Sequence, residues 1–167
     1  IDSTTHDTER IYVKFRDDVP VRLRDGKPAA AGANANIMGA ATGLLNRGLN
    51  EFAVQEYRKF LGAHATHEKA PLARYGLGVA LFRLQKFEEA ANELAPLEQT
   101  KDFQFATEVN LIRGQSLLAL QRPSEATQSF SRIVNEHSDH AKAGDASALL
   151  VESLYRDGRH KEAQEAA

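Results

Sequence analysis

The sequence has no cysteine and no tryptophan, and only five prolines and one methionine among 167 residues. Without cysteine there is no disulfide and no thiolate metal ligand, and neither redox compartment is selected. No sign of charge dominates: 21 basic residues face 23 acidic ones, for a net charge of -2. A nucleic-acid binder normally concentrates a basic face, so no nucleic-acid partner is expected. No apolar run approaches the roughly 20 residues that cross a bilayer, so no membrane span is expected. Also missing are a P-loop, a dinucleotide glycine fingerprint, G-x-S-x-G and H-E-x-x-H. With no such constellation to assemble a nucleophile, base and stabiliser, the sequence points to no enzyme and no cofactor.

What is there is alanine, in a chain long enough to bury a core as one domain or a short repeat array. Residues 1–33 stand apart. Ile11–Phe15 (IYVKF) and Val19–Leu23 (VPVRL) alternate apolar and polar residues, which predicts two short strands or an extended segment. Pro20 suits an edge strand. A lone two-stranded hairpin is marginal in water, so this extension is expected to dock on something. Ala29–Asn36 (AAAGANAN) reads as a linker running into a helix. The chain opens IDSTTHDTER with no Met and no signal peptide, which suggests that a preceding segment was removed or left out.

Residues 34–167 carry a repeat. The windows RGLNEFAVQEY, LQKFEEAANEL, LQRPSEATQSF and DGRHKEAQEAA each place an acidic residue one or two positions before an alanine. Those alanines are Ala53, Ala90, Ala126 and Ala163, separated by 37, 36 and 37 residues. A fixed period of this size marks stacked supersecondary units. Twelve positions earlier stand Ala41, Gly78, Gly114 and Val151, and nine earlier Leu44, Leu81, Leu117 and Leu154. A residue and its i+3 neighbour share a helix face. Four positions after the alanine stand Tyr57, Leu94, Phe130 and Ala167; seven after stand Phe60, Leu97 and Ile133. Each unit is therefore predicted as two apolar-faced helices joined by a tight turn, with small residues admitting close approach. The units run about 36–69, 70–105, 106–141 and 142–167, the last one incomplete. Pro123 and Pro71 fit the first turn of a helix, Pro96 should bend or end one, and Gly48 and Gly158 suit the turns between paired helices.

These residues resemble the tetratricopeptide repeat (TPR) family over about 130 residues, best in APLARYGLGVALFRLQKFEEAANELAPL, with Leu77-Gly78, Leu81, Ala90 and Leu94. The family's tryptophan is replaced by Ile37, Arg74, Asn110 and Ser147, and Arg113 takes a normally apolar position. The resemblance implies an all-α fold, a right-handed α-α superhelix of about four helix pairs. Its first helices line a concave groove that binds proteins or peptides. The groove residues so implied are Met38, Thr42, Leu45 and Asn46; Tyr75, Val79, Phe82 and Arg83; Leu111, Gln115 and Leu118; and Glu152, Tyr155 and Arg156, with Ala148 beside them. The alternative for Leu45, Leu111 and Leu118 is packing between units. The phrasing is similar to TPRs of bacterial envelope proteins, which favours a periplasmic or envelope setting over the cytoplasm. Two other readings stand beside a peptide-binding scaffold. The chain is a module of a larger envelope protein whose activity lies elsewhere, or it binds metal. A homodimer through the uncapped last repeat or the N-terminal segment is also consistent with the pattern.

The metal reading rests on HATH (His64–His67) and HSDH (His137–His140), which are 73 residues apart. Imidazoles three apart can share a zinc or copper ion if the loop turns helically. Glu68 would then assist the first pair, and Glu136 or Asp139 the second. The pairs occupy the same inter-unit loop in units one and three, so they are about 20 Å apart if adjacent helices pack about 10 Å apart. They do not make one site. In unit two, Lys101 and Gln104 fall at those positions and break any ladder. The simpler reading is solvated histidines after a helix C-terminus, where they suit the helix dipole.

Overall fold

The computed structural model describes residues 30–100 and 102–167, and of residues 30–36 the backbone alone. The strands expected at Ile11–Phe15 and Val19–Leu23 lie outside the described residues, as does most of the 1–33 extension. Among the described residues the structure is all α, with no strand. The helices are α1 (Ala30–Asn46), α2 (Asn50–Ala63), α3 (Ala70–Arg83), α4 (Phe87–Leu94), α5 (Ala106–Ala119), α6 (Pro123–Glu136), α7 (Ala143–Arg156) and α8 (His160–Glu165). α1 begins inside the alanine-rich stretch read as a linker, as alanine's helix propensity allows. Each helix packs on its neighbour in sequence from α1 to α8; α1 also touches α3, and α3 touches α5.

The four pair-forming turns are one motif repeated. Gly48, Gln85, Gln121 and Gly158 all have positive φ, between 58° and 77°. Each stands five residues before one of the periodic alanines. The next residue's N–H bonds back to the leucine carbonyl five positions earlier: Leu49 to Leu44 (2.9 Å), Lys86 to Leu81 (2.9 Å), Arg122 to Leu117 (2.8 Å) and Arg159 to Leu154 (2.9 Å). This is a Schellman closure, in which a left-handed residue ends one helix and aims the chain into the next. Glycine fits that residue freely; glutamine fits at a cost of about 1–2 kcal/mol.

Packing follows the sequence register. Ala53, Ala90 and Ala126 are wholly buried, with Tyr57, Leu94 and Phe130 one turn on and Phe60, Leu97 and Ile133 another turn on. Gly78 and Gly114 let the first helix approach the second: a Cβ on Gly78 would lie 2.5 Å from Leu94, and one on Gly114 would lie 2.6 Å from the Phe130 ring. The fourth unit departs at its end. α8 stops at Glu165, and Ala167, in register with Phe130, is exposed. Pro96 acts as expected: α4 ends at Leu94 and a 3-10 turn, Ala95–Gln99, takes over.

That turn shifts the register of the next loop. Ala70 and Ala143 open α3 and α7 by donating to His67 O and His140 O; Ala106 opens α5 by donating to Phe103 O at 3.0 Å. The counterpart of His67 and His140 is therefore Phe103, not Gln104. After α2 and α6 the chain closes with an i+4 bond, His64 to Phe60 and His137 to Ile133. After the 3-10 turn it closes with an i+3 bond, Thr100 to Leu97, which takes up one residue. Lys101 lies outside the described residues.

Candidate functional site

The structure divides the groove residues. Met38, Thr42, Leu45, Tyr75, Val79, Leu111 and Leu118 are buried and belong to the packing between helices. They offer no surface to a partner in this conformation. Met38, Leu45, Tyr75 and Val79 belong to one apolar cluster, and Leu111 and Leu118 to a second with Ala146 and Leu150. Thr42 shares a hydrogen bond with the Tyr57 hydroxyl at 3.2 Å. Tyr75 stacks on Phe105 at 4.7 Å and meets Phe103 edge-on at 6.3 Å. Burial, and then the Glu108 carboxylate, push the Tyr75 phenol well above its ordinary value, against the pull of Arg83. Arg83, half-buried, donates to Leu45 O at 2.9 Å and so links α3 to the end of α1. Desolvation lowers the Arg83 pKa, against the pull of Tyr75 and Tyr57.

The exposed remainder is Asn46 at one end and Glu152, Tyr155 and Arg156 at the other, with Phe82 and Gln115 half-buried between. Tyr155 is 66% exposed, the most open of the large hydrophobic side chains described. It rests against His160 at 4.8 Å, beside the Glu152–Arg156 ion pair at 2.5 Å. An exposed aromatic next to an arginine is a common binding anchor. A second exposed apolar pair, Leu49 and Phe52, was not singled out from the sequence. The register contained the signal. The equivalent positions carry ion pairs in the other units: Lys86–Glu89 (3.8 Å), Arg122–Glu125 (2.6 Å) and Arg159–Glu162 (2.8 Å).

The histidine loops are two copies of one capping structure. His67 Nδ1 accepts the Lys69 N–H at 3.1 Å, and His140 Nδ1 accepts the Lys142 N–H at 3.1 Å. Each imidazole thereby takes up a backbone donor just before α3 or α7, a group that a helix start otherwise leaves unsatisfied. His64 and His67 lie 6.1 Å apart between ring centroids, and both pack on Phe60. The second ring nitrogen of His140 faces Glu108 at 3.7 Å. Among the described residues no three His, Asp or Glu side chains converge as a metal site, so Glu68, Glu136 and Asp139 do not complete either pair.

One junction adds a largely buried polar cluster to its apolar contacts. Glu98 accepts hydrogen bonds from Arg113 (3.0 Å) and Ser129 (2.7 Å) and pairs with Arg132 at 3.4 Å. The helical periodicity marks Arg113 as out of place, but not its partner Glu98, two residues after Pro96.

No helix among the described residues is long and apolar enough to cross a membrane. No protein-family model matches the chain. No curated protein matches it either.

Proposed function

We propose that the chain is a non-enzymatic interaction scaffold, a TPR-like α-α superhelix that binds a protein or peptide partner. The observation that carries this reading is the fourfold register of turns, alanines and buried second-helix residues. The chain's helices are spent largely on packing, while Glu152, Tyr155 and Arg156 are exposed on α7. The partner surface is accordingly smaller than the groove implied by the resemblance. It centres on Tyr155 and Arg156 and extends over the half-buried Phe82 and Gln115.

The test is selection of a random peptide display library on the immobilised chain. Peptides enriched on the wild type and lost on Tyr155→Ala with Arg156→Ala support the reading. Both side chains are exposed, so the variant should fold. Enrichment no greater than on the bare matrix, or unchanged on the variant, counts against it.

A further inference from the structure

Leu49 and Phe52, at the start of α2, are 36% and 57% exposed. Their counterparts are a base and an acid in every later unit. In two places those counterparts also reach back to the second helix of the preceding unit. Arg122 meets Glu88, 34 residues earlier, at 3.3 Å, and Glu89 pairs with Arg58, 31 residues earlier. This edge of a second helix is therefore the one that faces the preceding unit. In the first unit it faces whatever precedes α1.

The same separations, taken back from the apolar pair, meet apolar residues. Phe15 stands 34 residues before Leu49, and Val21 stands 31 before Phe52. Both belong to the stretch Ile11–Leu23, which precedes the described residues. There Ile11, Val13 and Phe15, and then Val19, Val21 and Leu23, stand at every second position. Where later junctions set an acid against a base, this register sets apolar against apolar at both positions. The stretch is not a further copy of the repeat: 37 residues before Ala53 stands Arg16, and four positions later Pro20, where the units have alanine and a large apolar residue. Its tether is long enough. α1 has 17 residues and so runs about 25 Å from Ala30 to its end near Leu49. Phe15 stands 15 residues before Ala30, up to about 50 Å of chain.

We propose that the chain's own residues 15–21 dock on Leu49 and Phe52 and cap the first end of the stack, with Phe15 against Leu49 and Val21 against Phe52. Such docking is independent of the scaffold reading. The end unit of an array needs a cover or a polar outer face, and its exposed apolar pair denies this edge the second. A covalently attached segment has the advantage over a second copy or a separate protein, because its binding is intramolecular.

The test uses the whole chain, which has no cysteine of its own. Phe15→Cys is combined with Leu49→Cys and, separately, with Ala40→Cys. Ala40 is exposed on α1 and nearer in sequence to Ala30, so a tethered but undocked segment meets it at least as often. Under mild oxidation the disulfide within one chain should form at least about tenfold faster at position 49 than at position 40, because docking raises the effective concentration above that of the tether. Adding Phe52→Glu, the residue of the later units, should remove most of that advantage. Val21→Cys with Phe52→Cys should repeat the preference over Val21→Cys with Ala40→Cys. Equal rates at positions 49 and 40 overturn the proposal. So does an advantage that survives Phe52→Glu, or a disulfide formed between two chains instead of within one, which assigns the edge to a second copy.

Discussion

Glu98 and Arg113 form an ion pair at 3.0 Å across the junction of the second and third units, with side chains only 10% and 15% exposed. In the repeat register Glu98 corresponds to Leu61 and Val134, and Arg113 to Leu77 and Leu150. Both partners depart from the apolar pattern at the same junction, and the apolar core divides into two clusters there. Removing Arg113 leaves the buried Glu98 carboxylate with the weaker Arg132 pair and Ser129, and removing Glu98 leaves the Arg113 charge with Ser129 alone. Glu98→Leu or Arg113→Leu alone should therefore destabilise by about 3 kcal/mol. The double variant restores the pattern of the flanking junctions and should lie within about 1 kcal/mol of wild type, since apolar replacements of buried pairs are often neutral or stabilising. Urea denaturation of the three variants gives the coupling directly. Additive losses would show that the pair is not a unit.

Gly114 tests the close approach within a pair. Replacing a helical glycine by alanine normally gains about 0.5–1 kcal/mol. Here the new Cβ would lie 2.6 Å from a Phe130 ring that is wholly buried and has no room to swing away. Overpacking of this kind costs about 1–3 kcal/mol and should outweigh the gain, so Gly114→Ala should lower the melting temperature. Gly144, at the start of α7, has nothing within 4 Å of its added Cβ and serves as the control. Gly144→Ala should be neutral or stabilising.

The helix pairs and most of the core were legible because the small–large pattern recurs in phase. Ala53, Ala90 and Ala126, and the residues four and seven positions later, are buried where the pattern places them. The groove was not legible from the same pattern. A first helix in a stack has one apolar face toward its own pair and another toward the next unit, and Leu45, Tyr75 and Val79 are buried within that packing. Spacing alone does not tell a face that meets another helix from one that meets a ligand. Counting places Gln104 opposite His67 and His140, but Phe103 holds that position because the 3-10 turn around Pro96 takes up one residue. The capping role of His67 and His140 depends on ring orientation, which no spacing encodes.

Gln85 and Gln121 hold left-handed turn positions that Gly48 and Gly158 hold in the outer units, both at φ 58°. A side chain in that conformation costs about 1–2 kcal/mol, partly offset by the smaller entropy that glutamine loses relative to glycine on folding. Gln121→Gly should thus stabilise by about 0.5–1 kcal/mol, seen as a higher urea midpoint at unchanged slope. Gln121→Val, with a β-branched side chain at positive φ, should destabilise. The same two changes at Gln85 should agree in sign, because the Lys86-to-Leu81 and Arg122-to-Leu117 closures are the same motif.

Tyr75 gives the fold an alkaline limit. Its phenol is buried, and burial together with Glu108 raises its pKa above the ordinary value. A group whose folded pKa exceeds its unfolded one contributes stability that is fully present below the unfolded pKa, about 10 for tyrosine, and is lost as pH rises beyond it. Stability should therefore be flat in this residue's contribution up to about pH 9 and fall above about pH 10, by at most about 1.4 kcal/mol per pH unit. Tyr75→Phe keeps the stacking on Phe105 and removes the titrating proton. Urea midpoints for wild type and variant, taken from about pH 8 to about pH 11, should converge or cross as the wild type loses this term. Curves that stay parallel throughout would mean that the phenol ionises as readily in the folded chain as in the unfolded one, contrary to its burial between α3 and the Phe105 ring.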